Sequence, residues 1–252
     1  MKKITFDCSI LENVRLATGV FKTTLDASAV CKTAKPGQFI HIKTGGEKFQ
    51  LLRRPISIAD VSGDRLSIIY RVVGDGTRWL SERGEGELID VMGPLGNGFE
   101  LNAKKPLLVG GGIGIAPLLY LARAFGDSSS DVLLATRSEE ETTYWLEMFS
   151  SFCSNVHIAT NDGSLGTRGN ALDILPNIAG SCDAIYSCGP APMLRAVSDF
   201  ALKANIPCQL SLESHMACGL GVCLSCSCAS SDGKRKKICV DGPVFKAGEI
   251  EL

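Results

Sequence analysis

The spacing of four cysteines near the C-terminus constrains this chain more than any other feature. In ESHMACGLGVCLSCSCASSDGKRKKIC, Cys218, Cys223 and Cys226 follow C-x4-C-x2-C, and Cys239 comes after a further twelve residues. Three thiols packed this closely among glycines suit a loop that wraps a group, not a regular helix or strand. The pattern is the plant-type [2Fe–2S] arrangement, with three ligands in one loop and a fourth further on. Gly219 and Gly221 give the loop the freedom to close with its N–H groups toward the sulfurs. Met216, Leu220, Val222 and Leu224 are expected to cover the centre and keep water from it. Zinc and a group of buried free thiols are the competing readings. Zinc usually takes paired C-x2–4-C knuckles, and only one pair here is that short. Cys228 is supernumerary, because Cys223-x4-Cys228 does not fit the spacing. Cys8, Cys31, Cys153, Cys182 and Cys208 are dispersed and read as small hydrophobes.

Composition narrows the setting. Eleven cysteines, an odd number, are a poor disulfide framework and suit a reducing, cytoplasmic compartment. No apolar run approaches the ~20 residues of a membrane span. Lys2 and Lys3 open the chain, but Asp7 and Glu12 interrupt any apolar leader. The net charge of -1 argues against nucleic acid, whose binders need a basic surface. Lys234, Arg235, Lys236 and Lys237 are the one basic run, read as a solvated hairpin tip.

The expected fold is multi-domain. Residues 1–100 read as an antiparallel β-barrel of short strands, among them 39–44, 65–73 and 87–94, with a helix near 77–83. Residues 101–207 alternate strands with helices, which implies a parallel sheet covered on its faces. PLLVGGG is a buried strand, 131–137, 155–160 and 184–190 supply others, and Ser138 stands as N-cap of an acidic-fronted helix. Residues 208–252 break the alternation and form a small cysteine module.

Two stretches suit nucleotides. LLVGGGIGIAP turns from strand to helix through Gly110, Gly111, Gly112 and Gly114, where backbone can approach a pyrophosphate. The match to G-x-G-x-x-G is imperfect, and a ligand-free turn remains an alternative. Cys188, Gly189 and Pro190 end a second strand where a nicotinamide could lie. Arg137 and Ser138 stand where a ribose-binding acid is usual. Glu139, Glu140 and Glu141 would repel a 2′-phosphate, whereas Arg137 could pair with one, so NADH and NADPH both stay open. In the first third, Arg54 of RRPIS could pair with a phosphate and Ser57 with a flavin edge. Tyr70 offers a stacking surface, and Gly76 and Thr77 a helix start. Read singly, these are ordinary strand and turn residues.

Taken in order, RRPIS, YRVVGDGT, LLVGGGIGIAP and YSCGP resemble the ferredoxin–NADP reductase superfamily. The terminal ESHMACGLGVCLSC, with Cys239 and DGPVF, is similar to the electron-transfer subunits of B-type dihydroorotate dehydrogenases. The resemblance spans essentially the whole chain. It implies FAD on Arg54, Pro55, Ile56, Ser57, Ile69, Tyr70, Arg71, Gly76 and Thr77, NAD on the α/β domain, and a [2Fe–2S] cluster on Cys218, Cys223, Cys226 and Cys239. It also implies an FMN-containing catalytic subunit as partner, two of each chain, oxidising dihydroorotate to orotate in pyrimidine biosynthesis with NAD as acceptor. Related reductase subunits that serve a hydrogenase, sulfite reductase or transhydrogenase share this layout. A non-catalytic iron–sulfur sensor is a further reading, against which the intact RRPIS and GGGIG stretches stand. With three histidines and no acid–base triad, no catalytic side chain is expected.

Overall fold

A computed structural model describes residues 4–45, 51–126 and 129–252; Lys2 and Lys3 lie outside them. Six antiparallel strands close into a barrel: β1 (Thr5–Ala17), β2 (Val20–Asp26), β3 (Phe39–Ile42), β4 (Arg54–Ser62), β5 (Arg65–Arg71) and β6 (Leu88–Leu95), in the order β1-β2-β5-β4-β3-β6. Closure removes free edges. Ile10, Leu25, Ile40, Ile42, Ile58, Leu66, Ile68 and Val91 fill the core without exposure. These branched side chains suit a pleated, buried surface. Two short helices, α1 (Ser28–Cys31) and α2 (Asp75–Ser81), add Val30 and Leu80 to this core. The strands are not all short. β1 runs 13 residues, and its ladder with β2 is bent by two register shifts.

The second unit strings together β7 (Pro106–Gly111), α3 (Ala116–Phe125), β8 (Ser130–Thr136), α4 (Glu139–Phe149), β9 (Cys153–Thr160), β10 (Thr167–Arg168), α5 (Ala171–Ile178), β11 (Ala184–Cys188), α6 (Ala191–Ala204) and β12 (Cys208–Ser211). Every residue of β7 is buried, as befits the centre of a parallel sheet covered on both faces. Sheet order reverses between β7 and β11: β8, β9 and β10 extend one way, β12 the other. In open α/β sheets the crevice at such a reversal is where ligands bind. Ser138 is the N-cap residue of α4, but its hydroxyl makes no capping bond. Ser164 Oγ, brought in from a distant loop, accepts from the Glu139 N–H at 2.7 Å instead.

The sheet continues past residue 207. β12 pairs in parallel with β11, and β15 (Val244–Lys246) returns from the cysteine module to pair antiparallel with β12. Between them lies a hairpin, β13 (Ser227–Ala229) and β14 (Arg235–Lys237). Most of the basic run is therefore strand β14, not hairpin tip, and Lys236 pairs with Glu249 at 3.4 Å. The cysteine module shares a core with the barrel: Phe39, Met92 and Leu95 pack with Met216, Cys226, Ile238, Cys239 and Phe245. The barrel and sheet share another through Val20, Ala59, Ile69, Leu118 and Trp145. Arg123 of α3 reinforces that junction by pairing with Asp60 of β4 and lying 5.4 Å from the Phe152 ring centroid.

Candidate functional site

A cavity of about 300 Å³ opens where the barrel, the glycine turn and the cysteine module meet. Its barrel wall brings together Arg54, Pro55, Ile56 and Ser57 at the start of β4, Ile69, Tyr70 and Arg71 of β5, and Thr77 of α2. Tyr70 is only 3% exposed. Its ring stacks on Phe21 with centroids 6.2 Å apart, Thr23 donates to its hydroxyl at 3.4 Å, and burial pushes that hydroxyl up to about 12. It is thus a wall more than a free stacking surface. Gly76 does not line the cavity. A Cβ there would come within 2.5 Å of Arg54 Nε and 2.9 Å of Thr44 Oγ1, so its bareness lets the guanidinium cross the start of α2. Thr44 is fully buried, and its hydroxyl has no partner among the described residues. The Thr77 hydroxyl is already engaged, accepting from the Val73 N–H at 2.9 Å and donating to the Gly74 carbonyl at 3.0 Å. What the loop leaves to offer are the amides of Gly76 and Thr77, which precede the first helical bond, Arg78 N–H to the Gly74 carbonyl.

A second cavity, about 830 Å³, sits at the sheet reversal. Gly111, Gly112 and Gly114 face Gly189 and Pro190 across it, while Gly110 and Cys188 do not line it. Cys188 is 1% exposed, and burial, with Glu213 nearby, raises its thiol far above the ordinary range. The two turns meet backbone to backbone: a Cβ on Gly114 would lie 2.6 Å from Gly189 Cα. Gly112 has φ +55, a conformation that glycine takes without strain. Arg137 and Glu141 line the cavity, and Arg71 holds Glu141 at 3.0 Å. Glu140 is exposed and accepts from the Thr18 N–H, so of the three acids Glu141 is the one that faces this cavity.

Arg71, Ile113 and Glu213 line both cavities. Glu213 keeps accessible surface on the cavity side, yet protein around it desolvates the carboxyl and raises it. Glu213, Ile113 and Met216 went unnoticed as wall residues in the sequence. No local pattern marks them, because the wall forms only when the glycine turn and the segment after β12 fold against the barrel.

The four spaced cysteines cluster in two pairs. Burial raises Cys218, but N–H groups of Leu220 and Cys223 at 3.3 and 3.5 Å, helped by the Cys223 thiol, outweigh it and hold Cys218 at about 6. Cys239, 1% exposed, is pushed up to about 12 by burial and by the thiol of Cys226. Cys218 with Cys223, and Cys226 with Cys239, would offer thiols to two irons, and the amides aimed at Cys218 favour a thiolate. This donor set fits an iron–sulfur cluster. Among the described residues no three His, Cys, Asp or Glu side chains converge on one metal position. Gly219 at φ +68, Gly221 at +76 and Leu224 at +61 make the loop's tight turns.

The expected apolar cover divides. Met216 is buried, but Leu220, Val222 and Leu224 are 45%, 78% and 62% exposed. The left-handed turns at Gly219, Gly221 and Leu224 present these side chains to solvent. Cys228 lies in β13 and directs its thiol to the Lys236 carbonyl at 3.5 Å. Cys228→Ser is therefore expected to keep full iron and sulfide content. Loss of iron in that variant would place Cys228 among the ligands.

A family profile described as the iron–sulfur cluster binding domain of dihydroorotate dehydrogenase B matches residues 213–251. The dihydroorotate dehydrogenase B (NAD(+)) electron transfer subunit of Caldanaerobacter subterraneus subsp. tengcongensis is 41% identical over 245 residues, covering 96% of each chain. The chain belongs to that family. Its member from Listeria monocytogenes is 40% identical over 259 residues, covering 98% of each chain. Among solved structures, that of an NADH-dependent reduced ferredoxin–NADP oxidoreductase, described in connection with flavin-based electron bifurcation, aligns with TM-score 0.85 and 31% identity. It covers 97% of this chain and 89% of its own. A ferredoxin NADP+ reductase from Neisseria gonorrhoeae shares the fold at TM-score 0.64 and 17% identity, covering 80% of this chain and 92% of its own.

Proposed function

We propose that this chain carries electrons between NAD(H) and an FMN-containing dihydroorotate dehydrogenase subunit, in the cytoplasm and in pyrimidine biosynthesis, with two copies of each chain. The observation that carries the reading is the order of the sites. The cavity at the sheet reversal shares Arg71, Ile113 and Glu213 with the barrel cavity, and the far wall of the barrel cavity includes Met216, two residues before Cys218. A flavin held in the middle cavity by Arg54, Ser57 and the Gly76 and Thr77 amides would supply the conversion between hydride chemistry on the nicotinamide side and single-electron chemistry on the cysteine side.

The chain's own residues set up that relay. Arg54 supplies a fixed positive charge beside the Gly76 and Thr77 amides, which suits a pyrophosphate. Ser57 offers a hydroxyl to the ring end of the cavity. The Gly114 and Gly189 backbones leave room for a dinucleotide at the sheet reversal, and the Arg71–Glu141 pair bridges barrel to α4 at its rim. Glu141 also places negative charge where a 2′-phosphate would come. Exposed Leu220, Val222 and Leu224 around exposed Cys223 form an apolar surface over the cysteine loop, the kind that a partner subunit covers. No described helix is long and apolar enough to cross a membrane. Eleven free thiols suit a reducing compartment.

Anaerobic reconstitution with the FMN-containing subunit tests the reading. Dihydroorotate should reduce NAD only when both chains are present. NADH should reduce the flavin of this chain at least about tenfold more efficiently than NADPH, as a like charge facing the extra phosphate requires. No coupling with a folded, FMN-loaded partner would favour one of the other reductase systems. Equal use of NADPH would mean that Arg137 dominates over Glu141.

A further inference from the structure

His41 is a polar side chain that nothing among the described residues satisfies. It lies in β3, between Pro55 of β4 and Met92 of β6 in register, and is 0% exposed. Neither Nδ1 nor Nε2 has a hydrogen-bond partner among the described residues. Burial, helped by the nearby Arg53, lowers the imidazole to about 4, so it carries one N–H donor and one bare nitrogen. A buried donor left without a partner is destabilising.

Its position gives the reason for tolerating that cost. β3 alternates: Ile40 and Ile42 point into the barrel core, whereas Phe39 packs with Met216, Cys226 and Cys239 on the outer face. His41 follows Phe39 on that outer face, with their ring centroids 5.6 Å apart. The imidazole reaches the cysteine loop itself. A Cβ on Gly219, next to Cys218, would meet the ring's Cε1 at 2.9 Å, Nδ1 at 3.0 Å and Nε2 at 3.3 Å. Gly219 is bare and in a left-handed conformation, and the ring fills the space that a side chain would take.

We propose that His41 donates its ring N–H to a sulfur of the iron–sulfur centre and thereby raises the centre's reduction potential, as the barrel's positioning residue for the exit electron. Reduction adds negative charge to the sulfurs, so an N–H aimed at one stabilises the reduced form more than the oxidised form. The hydrophobic surroundings strengthen that bond. The proposal rests on the cysteines holding a cluster, which iron and sulfide analysis of each preparation settles separately.

The test compares holoprotein from wild type, His41→Leu and His41→Gln, each with iron and acid-labile sulfide measured first. In an EPR-monitored redox titration the loaded His41→Leu protein should show a lower cluster potential, about tenfold in the one-electron equilibrium constant or ~59 mV. His41→Gln, which restores a donor, should recover part of the shift. A second measurement needs no destabilising variant. Pulsed EPR of the reduced protein labelled with 15N-histidine should detect a coupled histidine nitrogen that survives His215→Gln and vanishes in His41→Gln. An unchanged potential in a fully loaded His41→Leu protein, or no histidine coupling in wild type, overturns the proposal. If His41→Leu loses its cluster, the wild-type nitrogen coupling decides alone. Absence of sulfide from wild type overturns the cluster and the proposal with it.

Discussion

A Cys226→Ser variant should still pass electrons from NADH to a flavin-reactive dye while its delivery to the FMN-containing subunit falls by more than about 100-fold, beyond what loss of a supporting residue around a metal costs. Cys226 is 3% exposed and stands with Cys239 in the core that joins the module to the barrel. Serine is of similar size, so packing is little disturbed, but its oxygen is a poor match for an iron that prefers thiolate. The barrel core draws on β1 to β6, α1 and α2, and the cavity at the sheet reversal mainly on the turns after β7, β8 and β11, with Arg71 and Glu213 in the wall it shares with the barrel cavity. Neither includes Cys226. The checks are iron content, NADH-to-dye turnover and NADH-to-orotate turnover, with assembly of the two chains measured alongside. A Cys226→Ser protein that assembles and feeds its partner at the normal rate would take the cluster off the path.

The second large effect is expected at Gly114. Its would-be Cβ lies 2.6 Å from Gly189 Cα, 2.7 Å from Gly189 N and 2.9 Å from the Cys188 carbonyl carbon. All three are backbone atoms at the ends of paired parallel strands, so no side chain can swing away. Gly114→Ala must push the two turns apart, at about 1–3 kcal/mol by the usual penalty of overpacking. The same displacement reshapes the crevice at the sheet reversal. NADH-driven flavin reduction should slow by at least about tenfold, since a misplacement of 1 Å can cost that and more. FAD content should be unchanged, because Arg54 and Ser57 lie on the barrel. Stopped-flow reduction by NADH, thermal unfolding and flavin absorbance check this. Wild-type reduction kinetics in a folded Gly114→Ala protein would remove the nucleotide from that crevice.

Much of this layout was legible in local sequence, for identifiable reasons. PLLVGGG reads as a strand because a central parallel strand is buried on both faces and stays apolar throughout. The cysteine loop is legible because its ligands are close in the chain and their spacing is tied to the geometry of the cluster. What stayed hidden depends on residues distant in sequence. β12 has four residues and shows no period, so the sheet's extension beyond 207 left no local trace. Ser138 has the right identity for a cap, yet Ser164 does the capping because a later loop folds back onto α4. His41 in FIHI looks like an ordinary half of a strand pair. Only the cysteine loop, far along the chain, turns it into an enclosed imidazole. Leu220, Val222 and Leu224 misled for a related reason. Apolar character suggested cover, while the turns at Gly219, Gly221 and Leu224 decided which way the side chains faced.

The pairing of β12 with β15 has a consequence for how the protein matures. Both ends of the cysteine segment are tied into a neighbouring sheet, Ser211 on one side and Val244 on the other, with these two residues in register. Sheet pairing by itself closes the segment into a loop, so completing the sheet contributes to the entropy of bringing Cys218 and Cys239 together. β15 follows all four spaced cysteines, so that closure waits until the chain has been synthesised past Val244. A chain truncated before Val244 would lose the frame that holds its cysteines in reach of one another.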